Sequence, residues 1–294
     1  MQKITPFLWF ERDMKAVTDF YLGVFPGSTS SYFGSLSDTP SGHVDMATLT
    51  IFGKELSLMT AGPYLPFNPT VSFTISCESE DEVRALHGKL MAGGKELMPL
   101  KAYPFATLYA WVSDAYGVSW QLMFREGAGA TQKLVPGFMF VGSVWGRADE
   151  ALEFYTKVFK NSSIDYRMPH DGTELPEAKD TVKYASFTLS GEPFSIMDGA
   201  KGAPFSFEQA ISFMVSCEDQ DEVDYYWTAL TNGGKEVQCG WLSDKFGMPW
   251  QIVPIAFTRM MSTGTKEQIM RVTAAFMKMK KFDIATLERA FAGE

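Results

Sequence analysis

The chain has little of what a disulfide scaffold, a secreted protein or a nucleic-acid binder needs. Three cysteines occur in 294 residues, and two of them, Cys77 and Cys217, hold matching places in a repeat. They make no disulfide framework and point to a reducing compartment. No stretch reaches the ~18 apolar residues of a membrane span. Arg12 and Asp13 interrupt the N-terminal apolar run too early for a signal peptide. A cytoplasmic protein with no membrane partner is expected. Basic residues are also in deficit: 26 Lys and Arg stand against 35 Asp and Glu, a net charge of -9. Nucleic acid is therefore disfavoured as a partner. Histidine is as scarce as cysteine, at three. What is abundant is core-forming material, with 46% hydrophobic and 21% charged residues, enough for two domains of ~150 residues.

A tandem repeat organises the chain. FYLGVF at Phe20 recurs as FYTKVF at Phe154, CESEDEV at Cys77 as CEDQDEV at Cys217, and GGKE at Gly93 recurs at Gly233. WVSDAYGVSWQL at Trp111 matches WLSDKFGMPWQI at Trp241, identical at six of twelve positions. The order is the same in both copies, the signature of a duplication. Spacing drifts in two places. Copy two is four residues longer before its first helix, around Ser143 to Gly146, and copy one carries ten extra residues before Trp111, around Lys101 to Ala110. Both insertions are expected in surface connections or hairpin tips.

Each copy reads as strand, helix and three strands, twice over. In copy one, residues 4–10 form a short apolar run that suits a buried strand. Val17, Phe20, Tyr21, Val24 and Phe25 fall on one helical face, stopped by Pro26-Gly27. Residues 44–52 and 55–60 read as a hairpin, and residues 71–77 as the next strand. Ser79 with Glu82 predicts a capping box, and Gly93-Gly94 ends that helix. Strands near 96–100, 108–112 and 119–124 complete the copy, and the glycine-rich stretch after it is a linker. After Pro254 a tail has no counterpart. Thr265 with Gln268 predicts a capped helix to about Lys280, and Asp283 caps a last helix to Ala292. Its methionine and phenylalanine face suits a partner, but a helix folded back on its own domain is the preferred reading.

A doubled βαβββ unit, with F-Y late in the first helix and a D-x-[FY]-G-x-x-W-Q motif, resembles the glyoxalase/bleomycin resistance/vicinal-oxygen-chelate superfamily. The residues are Thr5-Pro6-Phe7-Leu8-Trp9-Phe10, Phe20-Tyr21 and Asp114 to Gly117 in copy one. In copy two they are Phe154-Tyr155, Gly233-Gly234-Lys235 and Cys239 to Gly247. The likeness is greatest to the PhnB-like branch, whose members often carry the label 3-demethylubiquinone-9 3-methyltransferase. The resemblance implies an α+β fold of tandem glyoxalase-like domains, each with two βαβββ modules forming a curved-sheet cup, and a C-terminal helical tail. The expected boundaries are 1–126 and 134–256 for the two domains, 127–133 for the linker and 257–294 for the tail. The assembly would be a monomeric internal pseudo-dimer or a homodimer.

In that superfamily, side chains from four strands of the cup hold a divalent metal. Counting from the shared motifs puts the four positions at Pro6 and Pro136, Ala47 and Ala185, Val71 and Ile211, and Gln121 and Gln251. Shifting by one residue to Phe7, Met46, Thr48 or Ser72 builds no cluster. A lone carboxamide does not hold such an ion, so no metal cofactor is expected, with a divalent metal kept as the alternative. The candidate cup-lining residues are Gln121, Trp111, Gln251, Trp241, Phe138 and Phe213. Each glutamine is expected on the strand face opposite Trp120 or Trp250.

The remaining candidates favour structural roles. His87 sits on an apolar helix face where copy two has Trp227, and His43 and His170 have no repeat partner. Asp114 and Asp244 are expected to cap the turn that leads to Gly117 and Gly247. Cys77 and Cys217 lie beside Glu78 and Glu218, which makes them poor nucleophiles. Trp9 and Phe10 read as core. A Gly-rich turn for S-adenosylmethionine is not seen in the sequence, so the methyltransferase label is unsupported. Three readings stay open: a small organic ligand bound in an apolar cup, a metal-dependent lyase, isomerase or dioxygenase, or a duplicated structural domain with closed cups. Copy two, with its short connection before Trp241, is the preferred holder of a pocket.

Overall fold

The computed structural model describes residues 2–11, 13–39, 42–62, 65–127, 133–173 and 178–294. Most of the expected linker, residues 128–132, lies outside them. Four modules follow one another. The first holds β1 (Ile4–Phe10), α1 (Met14–Val24), β2 (Thr29–Thr39), β3 (Gly42–Ile51) and β4 (Lys54–Thr60). The second holds β5 (Val71–Cys77), α2 (Glu80–Leu90), β6 (Lys95–Tyr103), β7 (Ala106–Ser113) and β8 (Ser119–Phe124). In the third are β9 (Leu134–Phe140), α3 (Ala148–Val158), β10 (Ser163–Pro169), β11 (Val182–Leu189) and β12 (Glu192–Asp198). The fourth has β13 (Ile211–Cys217), α4 (Gln220–Thr231), β14 (Lys235–Glu236), β15 (Trp241–Ser243) and β16 (Pro249–Pro254), and the tail adds α5 (Ile255–Thr263), α6 (Lys266–Phe276) and α7 (Ile284–Ala292).

The modules pair across the repeats. One eight-stranded sheet, A, has the order β14-β15-β16-β13-β1-β4-β3-β2, and the other, B, has the order β10-β11-β12-β9-β5-β8-β7-β6. Sheet A thus joins the first and last modules, and sheet B the two central ones. Within each module the first strand runs parallel to the fourth, as β1 does to β4 and β13 to β16. Between modules the first strands meet antiparallel, β1 on β13 and β5 on β9. The sequence repeat is therefore not the sheet-forming unit: each cup takes one module from each copy.

One face of each sheet shares a single hydrophobic core with α1 to α4. Phe138 of sheet B meets Phe213 of sheet A there at 5.1 Å. The other face of each sheet, its cup face, points away from that core. A cavity of about 20 Å³ lies where the sheets meet, lined by Ile4, Pro6, Leu134 and Pro136 among others. It is large enough for little more than a water molecule.

The motifs that define the repeat turn out to tie the two sheets together. Asp114, in the turn between β7 and β8 of sheet B, accepts the Tyr21 hydroxyl of α1 at 2.9 Å and the Trp120 indole at 2.8 Å on one oxygen. Its other oxygen accepts the backbone N–H groups of Tyr116 and Val118 at 2.9 and 3.0 Å. Asp244 repeats this set with Tyr155 at 2.7 Å, Trp250 at 2.9 Å, and the N–H groups of Phe246 and Met248 at 2.8 and 3.1 Å. Each tyrosine comes from a helix beside one sheet and each aspartate from the other sheet, so the F-Y and D-x-[FY]-G-x-x-W elements are two halves of one latch. Burial pushes both carboxyls above the usual range, against the pull of their four donors.

The GGK motif has an equally local cause. Gly93 and Gly233 end α2 and α4 at φ +82° and +78°, a region that favours glycine. A Cβ on Gly94 or Gly234 would collide with the carbonyl oxygen of Ser113 or Ser243, respectively. Gly234→Ala should therefore cost about 3 kcal/mol, since a neighbouring backbone atom cannot give way. Urea unfolding of the variant checks this, and an unchanged midpoint would show that the backbone relaxes.

The expected insertion and the unmatched tail cover different cups. The ten extra residues of copy one lengthen the β6–β7 hairpin of sheet B, where Tyr103, Phe105 and Tyr109 meet with ring centroids 5.1 to 5.5 Å apart. Copy two has only the short β14–β15 connection, and the tail docks in that place. The N–H groups of Cys239 and Gly240 donate to the carbonyls of Met279 and Lys280 at 2.8 and 2.7 Å. α5 to α7 form their own cluster around Val272, Phe276, Phe282 and Leu287, which rests on Leu36, Met214 and Val253 of sheet A. The Thr265–Gln268 capping box is complete, and Asp283 caps α7. Helix α5 directly after Pro254 was not expected, and α6 ends at Phe276 rather than near Lys280.

Candidate functional site in the two cups

Strand alternation sorts the candidate residues. Gln251 lies opposite Trp241 on β15 and Met214 on β13, and its amide donates to Ser212 Oγ at 2.9 Å. These side chains, with Thr5, Phe7 and Trp9 of β1 and Ser57 of β4, face the cup of sheet A. Gln121, Trp111, Ser72 and Tyr109 hold the matching face of sheet B. Both glutamines therefore lie opposite the neighbouring tryptophans, Trp120 and Trp250, which are buried in the shared core. Phe138 and Phe213 do not line a cup. They are fully buried on the core face, in contact with each other. Both faces of these central strands are covered, so alternation is weak and a phenylalanine fits either side. Trp9, expected in the core, is on the cup face, where its indole donates to Ala61 O at 2.9 Å; Phe10 is in the core as expected.

The two cups are equivalent in position but not in pairing. In sheet B the Tyr109 hydroxyl donates to Gln121 Oε1 at 2.8 Å, and Gln121 Nε2 donates to Ser72 Oγ at 2.8 Å. The Trp111 indole donates to Ser119 Oγ at 2.6 Å. In sheet A the counterparts of Tyr109 and Ser119 are Cys239 and Pro249, and neither replaces the lost bond. Cys239 turns toward the tail, its Sγ lying 3.8 Å from Phe276 O. Among the described residues Gln251 Oε1 and the Trp241 indole have no hydrogen-bond partner, although Gln251 is only 5% exposed. Thr5 and Ser57, two further residues of this face, are themselves mostly buried, but their hydroxyls are not among the buried atoms left without a partner. Trp241 is flanked by Phe7 at 5.6 Å and Trp9 at 6.0 Å, each inclined steeply to it.

The six non-glutamine metal positions taken from the motif counts fall on the wrong face. Pro6 and Pro136 line the cavity between the sheets, and Ala47, Ala185, Val71 and Ile211 belong to the shared core. Around Gln251 the cup face instead offers hydroxyls, rings and a thioether, a donor set that does not fit a divalent ion. Among the described residues no three His, Cys, Asp or Glu side chains are grouped closely enough to hold a metal. The histidines stand apart: His43 is 3.2 Å from Asp45, His87 is 3.8 Å from Glu96, and His170 pairs through its backbone with Thr181. Burial, with a smaller contribution from nearby acids, pushes the Cys77 and Cys217 thiols up to about 12. Neither is a nucleophile at neutral pH. No helix among the described residues is long and apolar enough to cross a membrane.

Comparison with known proteins agrees with this architecture. The family model described as 3-demethylubiquinone-9 3-methyltransferase matches residues 2–123 and again residues 132–253. The chain belongs to that family. Among solved structures, the PhnB protein of Bacillus cereus is 34% identical over 42% of this chain and 99% of its own, with a TM-score of 0.39. Glyoxalase I of Zea mays is 14% identical, over 85% of this chain and 93% of its own, with a TM-score of 0.54. The second likeness is one of fold, and it extends over both copies of the repeat in this family member. No curated protein matches the chain.

Proposed function

We propose that this family member binds a small organic molecule on the cup face of sheet A without a protein-held metal. The observation that carries the reading is the contrast between the cups. The carboxamide oxygen and indole N–H that are tied off in sheet B are left unpaired in sheet A, at Gln251 and Trp241. Both atoms remain accessible, so a ligand can pair with them where sheet B has already paired its own. Methyl transfer receives no support from the fold: neither mixed sheet is the doubly wound parallel sheet that carries a Gly-rich cofactor turn.

The metal-free half of the reading has a direct test. Protein purified without chelator and then dialysed should hold well under one equivalent of Ni, Zn, Mn, Fe or Co by elemental mass spectrometry. A second sample given cobalt or nickel before dialysis should do the same. A stoichiometric ion in either sample would overturn the reading and favour glyoxalase-type lyase, isomerase or dioxygenase chemistry.

A further inference from the structure

We infer that the ligand of the sheet A cup is an uncharged ring compound that carries a hydrogen-bond donor beside an acceptor, as a cyclic amide does. The inference rests on the proposed binding site and names its chemistry. Gln251 Oε1 can only accept, and its amide nitrogen already serves Ser212, so the ligand must bring a donor. The Trp241 indole can only donate, so the ligand must also bring an acceptor. Trp241 and Gln251 are directly opposed across β15 and β16, so their side chains are neighbours on one face and a single small molecule can meet both requirements. Thr5 and Ser57 hydroxyls can serve either role at the edges.

The same neighbours exclude charge. Trp241 and Met214 flank Gln251 on the neighbouring strands, Ser212 accepts from its amide, and Thr5, Phe7, Trp9 and Ser57 continue the same face over β1 and β4; none of these is ionisable. A carboxylate or ammonium buried there would find no counter-ion. Three aromatic rings favour a flat partner, and among the described residues no ring lies parallel on the part-exposed Trp241.

The test uses the full chain and three probes of one shape, followed by isothermal titration and ligand-observed NMR. 2-Quinolinone has adjacent N–H and C=O groups, 1-methyl-2-quinolinone lacks the donor, and quinoline-2-carboxylate is charged. The expected order has 2-quinolinone tightest, the N-methyl compound weaker by about tenfold or more, and the carboxylate weakest. Gln251→Leu should erase the difference between the first two probes. Trp241→Phe, which keeps a ring and removes the N–H, should weaken all carbonyl-bearing probes. Gln121→Leu in the other cup should change nothing. If the probes bind with no preference for N–H, or the carboxylate binds best, and the sheet A variants still shift affinity, the ligand class is wrong and the site stands. If no probe binds, or only Gln121→Leu alters binding, both the class and the proposed site are overturned.

Discussion

Asp244→Asn should lower the unfolding free energy by about 3 kcal/mol, with Asp114→Asn costing a similar amount. An asparagine oxygen can still accept the N–H groups of Phe246 and Met248. Its amide nitrogen, however, then points at the Trp250 indole and the Tyr155 hydroxyl, both of which now donate. The tyrosine can rotate to accept, whereas the indole cannot, so a buried donor is left facing a donor. Tyr155→Phe should cost less, about 1 kcal/mol, because the carboxylate keeps three partners. The double variant should cost less than the sum, since the two share one bond. Urea titration of the four proteins measures this. Strict additivity would mean that the latch does not act as a unit, and a negligible loss for Asp244→Asn would mean that the sheets are held by apolar packing alone.

Removal of the tail after Pro254 should leave both sheets folded and expose the part of sheet A that carries Leu36, Met214 and Val253. The shared core draws on the tail only through part-buried Ile284 among the described residues, whereas α5 to α7 build a cluster of their own. Leu36, Met214 and Val253 would lose their cover. Burying a side chain of this size is worth ~1.5–3 kcal/mol. A total of about 4 kcal/mol shifts the melting temperature of a chain this long by about 7 °C. The truncated chain should keep its strand signature in circular dichroism, melt earlier and bind a hydrophobic dye strongly. Loss of the strand signal would show instead that the tail is part of what folds the sheets.

Much of this was legible in local sequence. The first strand and the helix behind it follow from an apolar run, a 3.6-residue stripe and Pro26-Gly27. The Thr265 capping box is written in two residues three apart. Ser79 does cap α2, but Glu82 reaches Glu78 N rather than closing the box on Ser79. The acid instead joins Lys133, a partner 51 residues away, which no local pattern reveals. The strand faces of the candidate residues were half legible. Gln121, Trp111, Gln251 and Trp241 stood out because the repeat keeps them, and alternation put both glutamines on the correct face. Phe138 and Phe213 were misplaced because their strands are covered on both faces. The difference between the cups has its own signal in the sequence: aligning the copies sets Tyr109 against Cys239 and Ser119 against Pro249.

The sequence by itself determined the duplication, the βαβββ order, the Thr265 capping box, the glycines that end α2 and α4, and the turn-capping role of Asp114 and Asp244. Each is set by contacts or motifs a few residues apart, or by a pattern that the second copy repeats. Only the tertiary structure decided that β1 pairs with β13 and β5 with β9, so that each cup is shared between copies. Four equivalent modules present equivalent first strands, and nothing in one strand's own residues names its partner. That choice rests on which pairing buries all four outer faces in one core, a property of the whole chain and not of any segment. The same holds for the tail, whose place on sheet A depends on a short hairpin leaving room that the longer hairpin of copy one fills on sheet B.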